Sequence, residues 1–247
     1  MRGLSKLTWI EMKLFLREPL AAFFTLVFPL LLFVLFGNIF GNTPSTEYKG
    51  FGFVDASVPA YTALIIATSA LLSLSTNLAS YRELGVLRRL HVTPLHPLAI
   101  LLAQVVVTFT MTTLGMALLV AVGRALFGLR CAGSAIVLGA AFTLCSLSLF
   151  SLGFVLASVV PSVRSAQAIG MAIFYPMIFL SGAAIPRELL PEGMQRAALI
   201  LPLTHVVTLL QGLWMGERWG AHLSETGIIL VVMAAGIGIS IKTFRWE

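Results

Sequence analysis

The chain has 247 residues, 58% of them hydrophobic and 11% charged, with a formal net charge of +6. Apolar runs far longer than a globular core helix requires exclude a soluble fold and define an all-α polytopic membrane protein. Membrane topology and attraction to anionic lipid account for the positive balance, so it carries no inference of nucleic-acid binding.

A helix rises about 1.5 Å per residue and the hydrocarbon slab is about 30 Å thick, so runs near 20 apolar residues can cross it. Residues 1–19 precede the first such run. They interleave Leu4, Leu7, Trp9, Ile10, Leu14, Phe15 and Leu16 with Lys6, Glu11, Lys13, Arg17 and Glu18. This pattern suits an amphipathic helix lying along the headgroups, with Pro19 as the break, and it equally suits a basic flank that only sets orientation.

Six spans are predicted, at Leu20–Phe40, Val58–Ser80, Pro97–Val122, Ala132–Val160, Ala166–Ile185 and Ser224–Ile241. The first is too long for a signal-peptide core and no small-x-small site closes it, so it is expected to stay in the mature protein. Pro29 and Pro176 fall inside spans, where each removes a backbone donor and serves as a packing kink or as a hinge. Gly212-x-x-x-Gly216 and the small residues Ser146, Ser148, Ser151 and Gly153 offer close helix packing. Cys131 and Cys145 on one helix would stand about 21 Å apart, too far for a disulfide.

Orientation follows from Lys and Arg. With the N-terminus inside, the cytoplasmic segments hold Arg2, Lys6, Lys13, Arg17, Arg82, Arg88, Arg89, Arg164, Lys242 and Arg245, against Lys49, Arg124, Arg130, Arg187, Arg196 and Arg218 outside. Both termini are therefore expected in the cytoplasm.

Two segments stand apart from the spans. Tyr81-Arg82-Glu83-Leu84-Gly85-Val86-Leu87-Arg88-Arg89-Leu90, running on to Thr93-Pro94, combines a charged helical patch, a glycine that permits close approach and a Thr-Pro stop. Such a protruding helix could dock into a groove on another protein, while Arg82 and Glu83 could also be a solvated pair. From Pro186 to His222 the chain is too polar and Pro-punctuated for a clean span, yet too apolar for a free loop. Short helices half-buried at the outer interface satisfy both constraints.

These two segments resemble the permease subunits of type-2 ABC exporters (the ABC-2 type transporter family), in the same order along six spans and over nearly the whole chain. Arg-Glu-x-Gly-x-Leu-x-Arg after the second span is similar to the family's cytoplasmic coupling segment. Phe179-Leu180-Ser181-Gly182-Ala183-Ala184-Ile185-Pro186, then Leu190-Pro191 and Leu201-Pro202-Leu203-Thr204-His205, is similar to its signature at the outer end of the fifth span. The resemblance implies one transmembrane domain over 1–247. Residues 1–19 form its cytoplasmic interfacial helix, 20–185 spans one to five, 186–222 extracytoplasmic re-entrant or interfacial helices, and 223–247 span six and a cytoplasmic tail.

It also implies partners and site residues. Two ABC ATPase subunits carrying ATP and Mg2+ would contact Arg82, Glu83, Leu87, Arg88 and Arg89; a second permease, identical or a sister, would complete the pathway. This chain would bind no cofactor itself. A hydrophobic or amphipathic substrate (drug, antibiotic, lipid or lipid-linked glycan) would move outward along Ser73, Asn77, Phe174, Tyr175 and Phe179. Pro176, Ser181, Gly182, Pro186, Pro191, Pro202 and His205 would shape the extracytoplasmic gate, with His205 either a hydrogen-bonded structural residue or a substrate or proton group.

The chain lacks a phosphate-binding Gly-x-x-x-x-Gly-Lys-Ser/Thr loop, His-Glu-x-x-His and Gly-x-Ser-x-Gly, so it is not expected to hydrolyse ATP or act as an enzyme by itself. A motor-independent secondary transporter or channel would show inverted repeats or charged midplane residues, and a lipid-modifying enzyme would cluster His, Asp or Glu at one membrane face. Neither pattern is present in the sequence.

Overall fold

A computed structural model of the chain describes residues 2–17, 22–45, 48, 50–85, 97–184, 187 and 190–243. All regular structure among them is helical. The elements are α1 (Arg2–Arg17), α2 (Phe23–Phe40), α3 (Phe53–Glu83), α4 (Pro97–Phe127), α5 (Ala135–Val159), α6 (Val163–Leu180), α7 (Glu192–Ala198), α8 (Pro202–Trp214) and α9 (Leu223–Thr243). Six of them, α2 to α6 and the helical stretch ending in α9, are long and apolar enough to cross a membrane. Each expected span is found, with its ends moved by three to five residues at most.

The centre of the bundle is α3. Of its most apolar stretch 83% is buried inside the protein, against 11% for the last span, so neighbours rather than lipid surround it. At 31 residues it measures about 46 Å, longer than the hydrocarbon slab, and projects or tilts. Its core face carries Val54, Val58, Ile65, Ile66, Leu71, Leu74 and Leu78, packed against α2, α4, α5, α6 and α8.

Two spans contain π-helical turns. In α2 the stretch Phe23–Val27 runs directly into Pro29, whose missing N–H and bulky ring disturb the hydrogen bonding of the preceding turn. In α3 the stretch Ser69–Leu74 lies mid-span, where Ser75 and Thr76 hydroxyls bond back to the carbonyls of Leu71 and Leu72. Glycines from both sides approach this widened turn: a Cβ on Gly153 of α5 would fall 2.2 Å from the Ala70 oxygen, and one on Gly170 of α6 2.6 Å from the Leu71 oxygen. Only hydrogen fits at those two crossings.

The small residues of α5 pack α9. Ser148 Oγ donates to the Ile229 carbonyl at 2.9 Å, and Gly236 sits on Ser151, where a Cβ would come within 2.3 Å of Oγ. The Gly212 and Gly216 pair acts differently from a helix-packing motif. Gly216 lies beyond the end of α8 with φ 88°, closing that helix against Ala132, and Gly212 makes room for the His222 ring.

Between α6 and α9 the chain doubles back. Pro191 precedes α7 and Pro202 opens α8, where a proline costs no helical hydrogen bond, and the two helices meet at 91°. Thirteen residues make α8 about 20 Å long, too short to cross, yet ten of them are buried. It therefore packs inside the protein as one arm of a sharply bent helix pair, and the segment between Pro186 and His222 forms neither a straight span nor a free loop. Cys131 precedes α5 in the connecting loop and is exposed, while Cys145 is buried; both are free.

Candidate functional site

At the α1 end of the bundle, the last turn of α3 ties four helices together. Arg82 Nη1 donates to the carbonyls of Ala157 (3.0 Å) and Ser158 (3.2 Å), and its Nη2 donates to that of Val160. These are the unpaired carbonyls that end α5, so a cation sits where the helix dipole is negative. The next residue does the reverse. Glu83 Oε2 accepts the Val163 N–H at 2.9 Å, placing an anion on the first turn of α6, where Ser162 Oγ also caps the Ser165 N–H at 3.2 Å. The α5–α6 turn is thus held from both sides by two consecutive residues of α3.

One residue before Arg82, Tyr81 Oη donates to Glu11 Oε2, and Gln104 Nε2 donates to the same oxygen at 2.8 Å and to Tyr81 Oη at 3.2 Å. Glu11 is 8% exposed and Gln104 2%. The charge of α1 that sequence patterning places on a solvated helix face points instead into the bundle. The apolar pattern of α1 splits accordingly: Phe15 packs on Val107 and Met111 of α4, while Trp9, Ile10 and Leu14 face outward, with Lys13 Nζ 5.3 Å from the Trp9 ring.

Beyond Glu83 the helix stops at Gly85, with φ 63°, where the Leu84 and Gly85 N–H groups close on the carbonyls of Ser80 and Arg82. Among the described residues no atom lies within 4 Å of where a Cβ would sit, and the positive φ shows this glycine ending the helix. Leu87, Arg88 and Arg89 lie outside the described residues.

At the opposite end, Asp55 is a buried anchor that the sequence signals only as a loop charge. Its carboxylate, 0% exposed, accepts Arg130 N (2.8 Å), Nε (3.0 Å) and Nη2 (2.8 Å), Asn42 Nδ2 (2.9 Å) and the Gly52 N–H (3.1 Å). Asn42 Nδ2 also reaches the Phe127 carbonyl at 3.2 Å. The α2–α3 loop, the head of α3 and the α4–α5 loop are fastened at one point, and desolvation of the carboxylate is offset by donors on every side.

The residues expected along a pathway divide into two kinds. Ser73 and Asn77 are half-buried on α3, and α6 packs along the same half of that helix. Tyr175 and Phe179, one turn apart on α6, are 53% and 50% exposed, whereas Phe174 is buried at 8% and faces away from that stripe. At the end of α6, Ser181 is buried, its Oγ accepting the Ala183 N–H at 3.3 Å, and Gly182 turns the chain at φ 89°. Pro176 lies inside α6. His205, at 8% exposure, bonds through Nε2 to the Leu199 carbonyl at 2.9 Å; an oxygen that can only accept requires the proton on Nε2, and the ring fastens α8 to the end of α7. Pro186 lies outside the described residues.

Six helices able to cross a membrane, a bent helix pair at one end and a charged clamp at the other make a polytopic helical membrane domain. The ABC-2 type transporter family matches residues 3–215, most of the chain, and the chain belongs to that family. It is 27% identical over 175 residues to the probable multidrug ABC transporter permease YbhR of Escherichia coli (strain K12), covering 70% of this chain and 46% of that protein. It is 27% identical over 209 residues to the inner membrane transport permease YhhJ of the same organism, covering 82% and 53%. Nodulation protein J of Rhizobium leguminosarum bv. viciae is 28% identical over 99 residues, 40% of this chain and 38% of that protein. The chain spans about half the length of the first two relatives.

Proposed function

We propose that this chain is the membrane-spanning half of an ATP-driven exporter of hydrophobic or amphipathic molecules, working as two permeases with two separate ABC ATPase subunits that carry ATP and Mg2+. It sits in the cytoplasmic membrane with both termini inside. The observation that carries the reading is the clamp of Arg82 and Glu83 on the α5–α6 turn. A push by the motors on the segment that begins at Gly85 reaches α5 and α6 at once through these two side chains, and reaches α1 and α4 through Tyr81.

Movement at the clamp end must alter the far end to expel a molecule. The central helix α3 carries both the clamp and, 27 residues before Arg82, the Asp55 anchor, with the π-helical turn Ser69–Leu74 between them. A widened turn already departs from the regular ladder, and discrete repacking there lets the two ends of α3 shift relative to each other. The cargo class is supported by a relative named a probable multidrug ABC transporter permease, and the outward direction by the resemblance to exporter permeases.

The test is co-purification with candidate ATP-binding subunits followed by reconstitution in vesicles. Stable assembly and ATP-dependent accumulation of a lipophilic dye on the extracytoplasmic side are expected. Transport driven by an ion gradient without any ATPase would replace this reading with a secondary transporter.

A further inference from the structure

A cavity of about 370 Å³ opens at the re-entrant end, between the head of α3, the turn after α6 and the inner face of α8. Its wall is part apolar, with Phe53, Ala60, Tyr61, Val207 and Met215, and part polar, with Thr208, Gln211, Glu217 and Arg187. The volume is within the range of small-molecule sites and equals about twelve waters at ~30 Å³ each. That accommodates a headgroup and the start of one tail.

The state of the polar groups decides the charge of the occupant. Thr208 Oγ1 already donates to the Thr204 carbonyl at 2.9 Å, Gln211 Nε2 donates to the Ala56 carbonyl at 3.2 Å, and Glu217 Oε2 is joined to His222 Nε2 at 2.8 Å. Arg187 differs from all of them. Its Nε is buried with no hydrogen-bond partner, its Nη1 reaches only Thr208 Oγ1 at a long 3.4 Å, and among the described residues no carboxylate pairs with it. Arg187 is partly exposed, so the cost of dehydration falls on the buried Nε, which has no acceptor. Gly182, whose Cβ would meet the Arg187 stem at 3.3 Å, lets that side chain lie close to the turn.

We infer that this cavity is a binding site for the anionic head of an amphiphile, a phosphate or a carboxylate held by Arg187 with its apolar stem against Phe53 and Tyr61. A buried, unpaired guanidinium Nε in a wall that also holds Phe53 and Tyr61 selects this class, because a cation would meet Arg187 while Glu217 is engaged by His222, and an uncharged tail would leave the Nε unsatisfied. The occupant is a membrane phospholipid or a transported anion; both present the same head. Binding needs no motor subunit, so its test is separate from that of the export reading, and only the assignment of the occupant as cargo rests on that reading.

The purified chain in detergent is titrated with lysophosphatidate, palmitate and hexadecyltrimethylammonium, followed by quenching of intrinsic fluorescence, and phospholipid retained through purification is extracted and identified. The unaltered chain binds both anions at least tenfold more tightly than the cation. R187Q loses at least tenfold in anion affinity, and R187K recovers part of it. Retained phospholipid displaced by lysophosphatidate marks the bilayer as the source; palmitate binding to a lipid-free chain marks a cargo. Equal affinity of the unaltered chain for anions and cation, a result that depends on no variant, overturns the assignment, as does full anion affinity in a monodisperse R187Q.

Discussion

Arg82 and Glu83, adjacent in sequence, hold opposite ends of two successive helices: the arginine takes the last carbonyls of α5 and the glutamate the first turn of α6. Each charge meets the helix terminus of opposite sign. Exchanging them (Arg82→Glu with Glu83→Arg) keeps composition and net charge but opposes both dipoles. The exchanged protein is expected to lose about 2 kcal/mol or more of stability relative to the unaltered chain, measured by thermal unfolding in detergent. An unchanged melting profile would show that the clamp contributes nothing.

Asp55 is dehydrated and depends on Arg130. Arg130→Met removes the guanidinium but keeps the backbone N–H at 130, so the carboxylate is left to that N–H, Asn42 and Gly52, and the change is expected to cost about 3 kcal/mol, near the low end for a broken buried pair because Arg130 is 46% exposed. Asp55→Asn with Arg130→Met should cost less than the sum of the single changes, since the stranded charge is gone. Denaturant titration of the four proteins checks the cycle.

Gly153 and Gly170 flank the π-helical turn of α3. Gly153→Ala drives a methyl to within 2.2 Å of the Ala70 oxygen, so α5 must back away, at about 1–3 kcal/mol. Gly139→Ala, with open space around it on the same helix, is expected to be neutral or to stabilise by up to ~1 kcal/mol. Comparing folded yields and melting of the two variants separates packing from propensity.

Cys131 reports topology. It is exposed in the α4–α5 loop, while Cys145 is fully buried, so a membrane-impermeant maleimide added to intact spheroplasts should label the chain once. Burial around the sulfur pushes the thiol above its ordinary range. Because the thiolate is the reactive form, labelling is slow near neutrality and accelerates as pH rises. Labelling only after the membrane is breached would invert the proposed orientation.

Much of this architecture is legible in the sequence because lipid imposes a simple rule on composition. Runs of twenty apolar residues mark the spans, and prolines at 191 and 202 mark the re-entrant pair. What composition does not reveal is pairing across distance. Asp55 and Arg130 are 75 residues apart and Glu11 and Gln104 93 apart; the three charged ones read singly as loop or surface charges and Gln104 as a lone amide within a span. Gly85 shows the same limit: a glycine amid charges suits close approach and helix termination alike, and its φ of 63° at the end of α3 shows the termination. Arg187 carried only a topological signal, because a missing partner cannot be read from a sequence.

The most direct test of the account uses the assembled complex with its ATPase subunits and measures ATP hydrolysis and transport on the same preparation of the unaltered chain and of Arg82→Gln and Glu83→Gln. The account predicts that both variants hold their motors and hydrolyse ATP, while transport per ATP falls about tenfold or more in Arg82→Gln and by less in Glu83→Gln, in line with three carbonyls lost against one N–H. Unchanged transport per ATP in both variants would contradict it, because the force would then reach α5 and α6 by a route that does not pass through the clamp.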